Sequence, residues 1–348
     1  MSRTRTIGYG QLVQRCARIL TAAGVPPSRA ERVAELYVRA DAEGAASHGV
    51  ARLSTLVRRI DSGVVDPTAS PSTIHDRGAV AVLDGHHGLG QIVADAAMGL
   101  ALDKARQYGV GMVAVRDASH LGRVGHYAHD AARSGAIGVV LSNASPRLVP
   151  APGAQPVLGN NPWAVAWPAP DGPICVDMAN SVVAAGKIRA ARTAGEPIPS
   201  DWATDAHGAP TSDPAAALDG ALLAMGGHKG WALSLVVDVM SGGLAEGAMG
   251  DAVGAVDEHE RHQRVSASFA AIDVGHFTDP ERFVERMGDF AARLKARTGL
   301  EARLPGERSS RLLREQKRAG VEVDKTTLAA IDRLASGIAS RDQHGEEA

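Results

Sequence analysis

The sequence predicts an α/β (α+β) protein, with a mixed sheet built from the middle of the chain and a helical domain assembled from both of its ends. Three observations lead there. Apolar residues recur at helical spacing over roughly the first 65 residues and again from 279 to 340. Between those regions, short runs rich in Val, Ile and Ala alternate with helical runs. Two of the short runs flank Ala169-Pro170-Asp171-Gly172, a hairpin turn that an all-parallel sheet does not accommodate. The expected division is residues 1–74 with 276–348 for the helical domain and 75–275 for the sheet domain.

In chain order, Leu12, Val13, Cys16, Ile19 and Leu20 share one face of a first helix, which Gly24 and Pro26 end. Ser28-Arg29-Ala30-Glu31 has the form of a capping box, and Val33, Tyr37 and Ala40 continue a second helix. A third begins near Ser47, turns Leu53, Leu56, Val57 and Ile60 inward, and stops at Gly63. Strands are expected at Ala79–Leu83, Val110–Val115, Ile137–Leu141, Ala164–Trp167, Ile174–Val176 and Ala267–Val274. Helices are expected over Gln91–Tyr108 and Val124–Ser134, and residues 228–247 read as one long apolar helix. The remainder is helical, carried by Phe283, Met287, Phe290 and Leu294, then Leu312 to Gln316, then Leu328, Ile331 and Leu334, with a frayed end over 341–348.

A chain of 348 residues, 45% apolar and 22% charged, has ample material for a core. Aromatics make up only 3%, so that core is mostly Ala, Val and Leu, whose small faces favour close helix–sheet packing. The 37 basic and 39 acidic residues leave a net charge of −2, with no basic field to attract nucleic acid. No stretch nears the roughly 18 apolar residues of a membrane span, and the N-terminal segment lacks the apolar run of a secretory signal. Cys16 and Cys175 sit in apolar contexts and read as buried thiols. A cytoplasmic enzyme is expected, with neither nucleic acid nor membrane as partner. His259 and His262 in DEHERH invite a metal, but nothing else in the sequence joins them, and no metal site is expected.

Four stretches carry chemistry. Ser47-His48-Gly49-Val50-Ala51-Arg52 puts a serine at a helix N-cap, with a histidine and an arginine four residues apart on one face. A guanidinium forks onto a carboxylate while an imidazole exchanges a proton with a neighbouring oxygen, so the pattern suits a carboxylate next to a carbonyl or hydroxyl. From the spacing alone, a capped surface helix with an incidental His and Arg is the plainer reading. Ser119-His120-Leu121-Gly122-Arg123-Val124-Gly125 runs from a strand into a helix, and its glycines would let backbone N–H groups face a pyrophosphate; a structural loop is the plainer reading. Gly226-Gly227-His228-Lys229-Gly230 joins a glycine turn to a helix N-terminus and two potential cations, which suits a phosphate or a simple turn. Asp177-Met178-Ala179-Asn180-Ser181 leaves a strand, where site residues often sit, with Lys187 following; helix capping by Asn180 or Ser181 is the alternative. No GxGxxG follows any strand, so the Rossmann fingerprint is absent.

Together with LGNNPWAVAWP, GAPTSDP and GGHKGWALSL, these segments occur in an order and spacing that resembles the malate/L-lactate dehydrogenase family, from about residue 9 to 335. That family also holds ureidoglycolate, sulfolactate and diketogulonate oxidoreductases and cyclic imino-acid reductases. The resemblance implies a non-Rossmann nicotinamide-binding domain with a largely antiparallel sheet, NAD or NADP as cofactor, a small carboxylate substrate and a homodimer.

The resemblance also implies roles for particular residues. Ser47 and His48 match a proton-transferring pair, and Arg52 matches a ligand of the substrate carboxylate. His120 matches either the proton-transfer residue or, with Leu121, Gly122, Arg123 and Val124, a cofactor contact. Ala179, Asn180 and Ser181, then His228 and Lys229, and more loosely Gly306, Glu307 and Arg308, match further cofactor-contacting stretches. Asn160 stands where many members carry Thr, in a loop that touches substrate. Lys187 replaces the Asp that completes a relay in imino-acid reductases and is similar to the hydroxy-acid branch, which makes it a catalytic candidate; His228, Trp231 and Ala232 depart from the text common in that branch. The implied activity is hydride transfer between a nicotinamide and a small 2-hydroxy/2-oxo carboxylate. The alternatives are an NADPH-dependent cyclic ketimine (imino-acid) reductase and, in another class, a catalytically inactive nucleotide-binding relative.

Overall fold

The computed structural model describes residues 4–298 and 303–345, with side chains over 4–297 and 303–336. The chain opens on β1 (Thr4–Ile7), followed by α1 (Tyr9–Ala22), α2 (Pro27–Ala42) and α3 (Leu53–Asp61). Next come β2 (Ser72–Arg77), β3 (Val80–Asp84), α4 (Gly90–Tyr108), β4 (Val110–Ala118), α5 (Gly125–Arg133), β5 (Ala136–Ser142), β6 (Leu148–Val149), β7 (Trp163–Trp167) and β8 (Ile174–Met178). The chain continues through α6 (Ala185–Ala194), α7 (Pro214–Asp219), β9 (Leu222–Leu223), α8 (His228–Asp238) and β10 (Val265–Asp273). It ends with α9 (Pro280–Thr298), α10 (Glu307–Ala319), β11 (Val321–Asp324) and α11 (Lys325–Gly345).

The seven-stranded sheet has the order β2-β3-β4-β10-β5-β7-β8. Only its β3–β4 pair is parallel, so the sheet is mixed and largely antiparallel, as expected. The β7–β8 hairpin aligns Trp163 with Met178 and Trp167 with Ile174, and the Gly172 N–H closes the turn on the Ala169 carbonyl at 3.1 Å. Helices α4 and α5 cover one face through small side chains such as Ala94, Ala97, Ala101, Ala128 and Ala131. The approach is close: a Cβ on Gly138 of β5 would sit 2.6 Å from the Ala128 carbonyl oxygen. The opposite face carries α8 and the π-helical turn Val239–Gly243 that prolongs it, so the single α-helix expected over 228–247 is interrupted.

Around the chain ends, Leu12, Val33, Tyr37, Leu53, Val321 and Ile331 share a second core, and β1 pairs antiparallel with β11. These terminal strands were not foreseen; four residues each are too short for alternation to stand out against helical neighbours. A third cluster, around Leu148, Ile188, Ala203 and Leu222, holds the irregular stretch between β5 and α8, including the unforeseen α6 and α7. Of the end expected to fray, α11 extends through Gly345 and residues 346–348 lie outside the described ones. Among the described residues, no helix is long and apolar enough to cross a membrane.

Two local expectations fail near the N-terminus. The Ser28–Glu31 capping box does not form, because α2 starts at Pro27, whose fixed φ suits the first helical position and which has no N–H to satisfy. The third helix begins at Leu53 rather than near Ser47: two 3₁₀ turns, Ala46–His48 and Val50–Arg52, separated at the extended Gly49, precede it, and Ser47 caps no helix.

Candidate active site

The 46–52 turns, the loop after β4 and the end of β8 converge on one cleft. Ser47, His48, His120, Leu121, Gly122, Arg123, Val124, Asn160 and Ala179 line a cavity of about 340 Å³, together with Asp177 and Gln263. Arg52 and His120 line a small pocket of their own with Tyr37 and Thr55, so His120 joins the two spaces.

The loop after β4 is pinned where Ser119 Oγ accepts the Gly90 N–H at 2.9 Å. Gly122 then donates its N–H to His120 Nδ1 at 3.2 Å, which assigns the proton of the neutral ring to Nε2. The rings of His48 and His120 stack, and His48 Nδ1 is buried without a hydrogen-bond partner. Burial pushes His48 down to about 4; the Arg52 guanidinium adds to the shift and Asp177 opposes it. Burial, then His48 and Arg52, hold His120 well below the usual imidazole range. Both rings are therefore neutral near pH 7.

The turn that carries His48 is braced on both sides. From behind, Asp41 of α2 accepts the Val50 N–H at 2.7 Å, and a Cβ on Gly49 would meet the Asp41 carboxylate at 2.1 Å. Burial pushes Asp41 up to about 7, against the lowering effect of that hydrogen bond. From the front, the start of α6 packs so tightly that a Cβ on Gly186 would lie 2.5 Å from the Ser47 Cβ. Arg52 folds back on the same turn and donates from Nε to the Ser47 carbonyl at 2.9 Å.

A chain of charges underlies the floor of the cleft. Arg123 donates to Asp177 at 2.6 Å and to Glu43, while Glu43 also receives Arg39 at 2.8 Å and pairs with His126 at 2.9 Å. Burial alone would raise the Glu43 carboxyl, but His126, Arg123 and Arg39 bring it down to about 2. Sequence reasoning missed Glu43 and His126, since no spacing links them to the motifs. Asp177 sits in a motif singled out at a strand end, and that position was the signal that could have found it.

The other candidates are placed less directly. Asn180 is fully buried: its side chain accepts the Trp163 indole N–H at 3.1 Å and donates to the Asn161 carbonyl at 2.7 Å, so it shapes the wall. Ser181 Oγ donates to the Val183 carbonyl at 2.7 Å, and the N-cap of α6 is Ala184, so neither residue caps that helix. His228 and Lys229 are exposed at the start of α8, joined to this stretch through the Ser181–Ala224 bridge but outside the cleft lining. Lys187 is exposed on α6, also outside the lining. Gly306 caps α10 and packs on the Cys175 backbone of β8, Glu307 pairs with Lys295 at 2.6 Å, and Arg308 is exposed. Glu307 lines a second cavity, of about 600 Å³, between the β7–β8 hairpin and helices α9 and α10.

The remaining histidines play no part in the cleft. His86 and His87 take positive φ in a turn, as expected. His262 is not simply solvated: its ring stacks on His87 at 3.7 Å and meets the Val64 carbonyl at 3.0 Å. Among the described residues, no cluster of ligating side chains could hold a metal.

Known proteins resemble the chain along nearly its whole length. It matches the family model described as Malate/L-lactate dehydrogenase over residues 7–332. It is 35% identical over 322 residues to the malate/(S)-sulfolactate dehydrogenase of Methanothermus fervidus, covering 92% of this chain and 94% of that one. It is 34% identical over 245 residues to the Delta(1)-pyrroline-2-carboxylate reductase of Pseudomonas fluorescens, covering 70% and 73%. The solved malate dehydrogenase of Entamoeba histolytica superposes with a TM-score of 0.90 at 28% identity, covering 97% and 98%. The chain therefore belongs to the malate/L-lactate dehydrogenase family and is an NAD(P)-dependent oxidoreductase.

Proposed function

We propose that the cleft moves hydride between NAD or NADP and a small 2-hydroxy or 2-oxo carboxylate, with Arg52 anchoring the carboxylate and His48 exchanging the proton. The observation that carries this reading is the stacked, neutral His48–His120 pair next to Arg52. Gly122 N–H occupies the Nδ1 lone pair of His120, so that ring offers only its Nε2–H, as a donor to the substrate oxygen. His48 keeps an unpartnered nitrogen and is the group able to take up or release a proton. Ser47 holds Arg52 in place through its carbonyl.

The residues present fit a nicotinamide dinucleotide. Gly122 holds a φ of +79°, its loop feeds the N-terminus of α5, and the cleft has an unspent buried polar atom at His48 Nδ1. Leu121, Gly122, Arg123, Val124 and Ala179 would hold the nicotinamide half, with Asn180 and Ser181 shaping the wall and His228 and Lys229 at its edge. Asp177 faces this cleft and Ile174 the second cavity, about 10 Å apart by strand rise, so Gly306, Glu307 and Arg308 stand near the far half. When bound, the nicotinamide supplies or accepts the hydride. Residues 75–275 form the cofactor-binding domain in this reading, and the cytoplasm is its compartment, in keeping with two buried, free cysteines.

Hydroxy acids are favoured because Lys187 stands where an imino-acid reductase would carry a relay aspartate. The likeness to a pyrroline-carboxylate reductase supports a second reading, reduction of a cyclic imino acid. Incubation with NADH or NADPH and either a 2-oxo acid or a cyclic imino acid separates the two. Cofactor oxidation with the 2-oxo acid supports the first reading. Oxidation with the imine alone supports the second, and binding without turnover on either points to an inactive relative.

We also propose a homodimer. The sequence of α8 is apolar nearly all round, the pattern of a helix buried on every side, yet Leu235, Val236, Val239 and Met240 are exposed along it and its π extension, and Leu244 directly after.

A further inference from the structure

One carboxylate bridges two arginines at the edge of the site. Asp257, in the segment leading to β10, lies 3.5 Å from Nη1 of Arg52 and 3.4 Å from Nη2 of Arg189 on α6. We propose that Arg189 receives a second acidic group of the substrate, and that Asp257 occupies the space between the two guanidiniums until the substrate displaces it. The substrate class is then a small 2-hydroxy or 2-oxo acid with two anionic groups, such as a dicarboxylate or a sulfonated carboxylate. This rests on the reading of Arg52 as the carboxylate anchor.

Arg52 belongs to the site and Arg189 stands at its edge on α6, whereas the aspartate is loosely held. Arg52 is locked onto the Ser47 carbonyl and its side chain is only 18% exposed. Arg189 lies one turn beyond Gly186, on the face of α6 that touches Ser47. Asp257, by contrast, has a side chain 59% exposed, and both its contacts exceed the roughly 2.7–2.9 Å of a fully formed charged hydrogen bond. Exposed pairs of this kind contribute little, so an incoming acid displaces it at small cost.

The surroundings carry excess positive charge. Burial and then the Arg189 cation push the Arg52 guanidinium below its usual range, and the same two causes act on Arg147. Asp257 offsets both shifts only in part. A single carboxylate therefore serves several guanidiniums, and a dianion placed there meets unspent positive potential. A monocarboxylate would engage Arg52 and leave Arg189 to Asp257.

Calorimetry can read this without turnover, because malate or lactate with reduced nicotinamide is not a reacting pair. With the protein saturated in NADH or NADPH, wild type should bind malate more tightly than lactate. Arg189→Gln should weaken malate by about tenfold to a hundredfold and collapse the malate-to-lactate ratio, while Arg189→Lys recovers part of it. Asp257→Asn should act in the opposite direction and tighten malate, since it removes the internal competitor. If Arg189→Gln changes both ligands equally, or Asp257→Asn weakens malate as Arg189→Gln does, the pair is merely structural and the proposal is wrong. Arg189-dependent malate binding with no turnover of either acid would uphold this inference and overturn the hydride-transfer reading. Turnover of both acids at a ratio indifferent to Arg189 would do the reverse.

Discussion

His48 and His120 lie face to face, with ring centroids 5.6 Å apart and planes within 8° of parallel. One ring comes from a 3₁₀ turn after α2 and the other from the loop after β4, so the pair exists only in the folded chain. Two imidazoles this close and this buried cannot both be charged, and their neutrality sets how the site responds to pH.

In the direction of hydroxy-acid oxidation, neutral His48 is the base. Its nitrogen is depressed from 6.5 to about 4, so kcat/KM, which reports the free enzyme, should hold steady through pH 6 and fall only on approach to about 4. A bound substrate carboxylate cancels part of the Arg52 field, which should move the limb of the kcat profile to higher pH. The two profiles measured side by side check this; limbs that coincide at the ordinary imidazole value contradict it.

The reach of sequence reasoning is clear from these same residues. The six strands expected in the central sheet were found because Val- and Ile-rich runs between turn residues signal strands locally, and the Ala-rich helices that cover them keep a regular period. Of the cleft residues, His48, His120–Val124, Asn160 and Ala179 are legible in the sequence through the order of the motifs rather than any one spacing. Three kinds of feature were hidden. Gly49 breaks the turn because Asp41 presses on it from another helix. β1 and β11 find each other across almost the entire chain. Glu43, Asp257 and Arg189 act through partners distant in sequence, which periodicity does not register.

Asp41→Asn should reverse a pH-dependent penalty. The folded carboxyl is raised from 3.8 to about 7, chiefly by burial with a small contribution from Asp324. A raised carboxyl favours the fold while protonated, so the stability it contributes below 3.8 is lost as pH climbs through about 7. The variant does not titrate and keeps an acceptor for the Val50 N–H. Denaturant melts at several pH values should show the variant gaining on wild type across that window; a constant difference contradicts the shift.

Glu43→Gln should be costly. It leaves Arg123, Arg39 and His126 facing a neutral group in a buried site, a loss of about 3–5 kcal/mol for removing one partner of a buried pair. Chemical denaturation measures it. Asp177 loses its brace through Arg123, so activity should fall even where the variant remains folded.

Val236→Asp with Leu244→Asp should weaken self-association, because both side chains are exposed, on the apolar α8 surface and directly after its extension. Light scattering over a concentration series reads the change in mass. An unaltered dimer would mean that the interface lies elsewhere.

The most direct measurement is a crystal structure of the protein with malate and reduced nicotinamide, which are both reduced and so persist together. The expected result places one carboxylate on Arg52, the hydroxyl oxygen between His48 and His120, and the nicotinamide ring in the same cleft. Malate bound elsewhere, with Asp257 still seated on Arg52 and the imidazoles untouched, would contradict the assignment of this cleft as the site of hydride transfer.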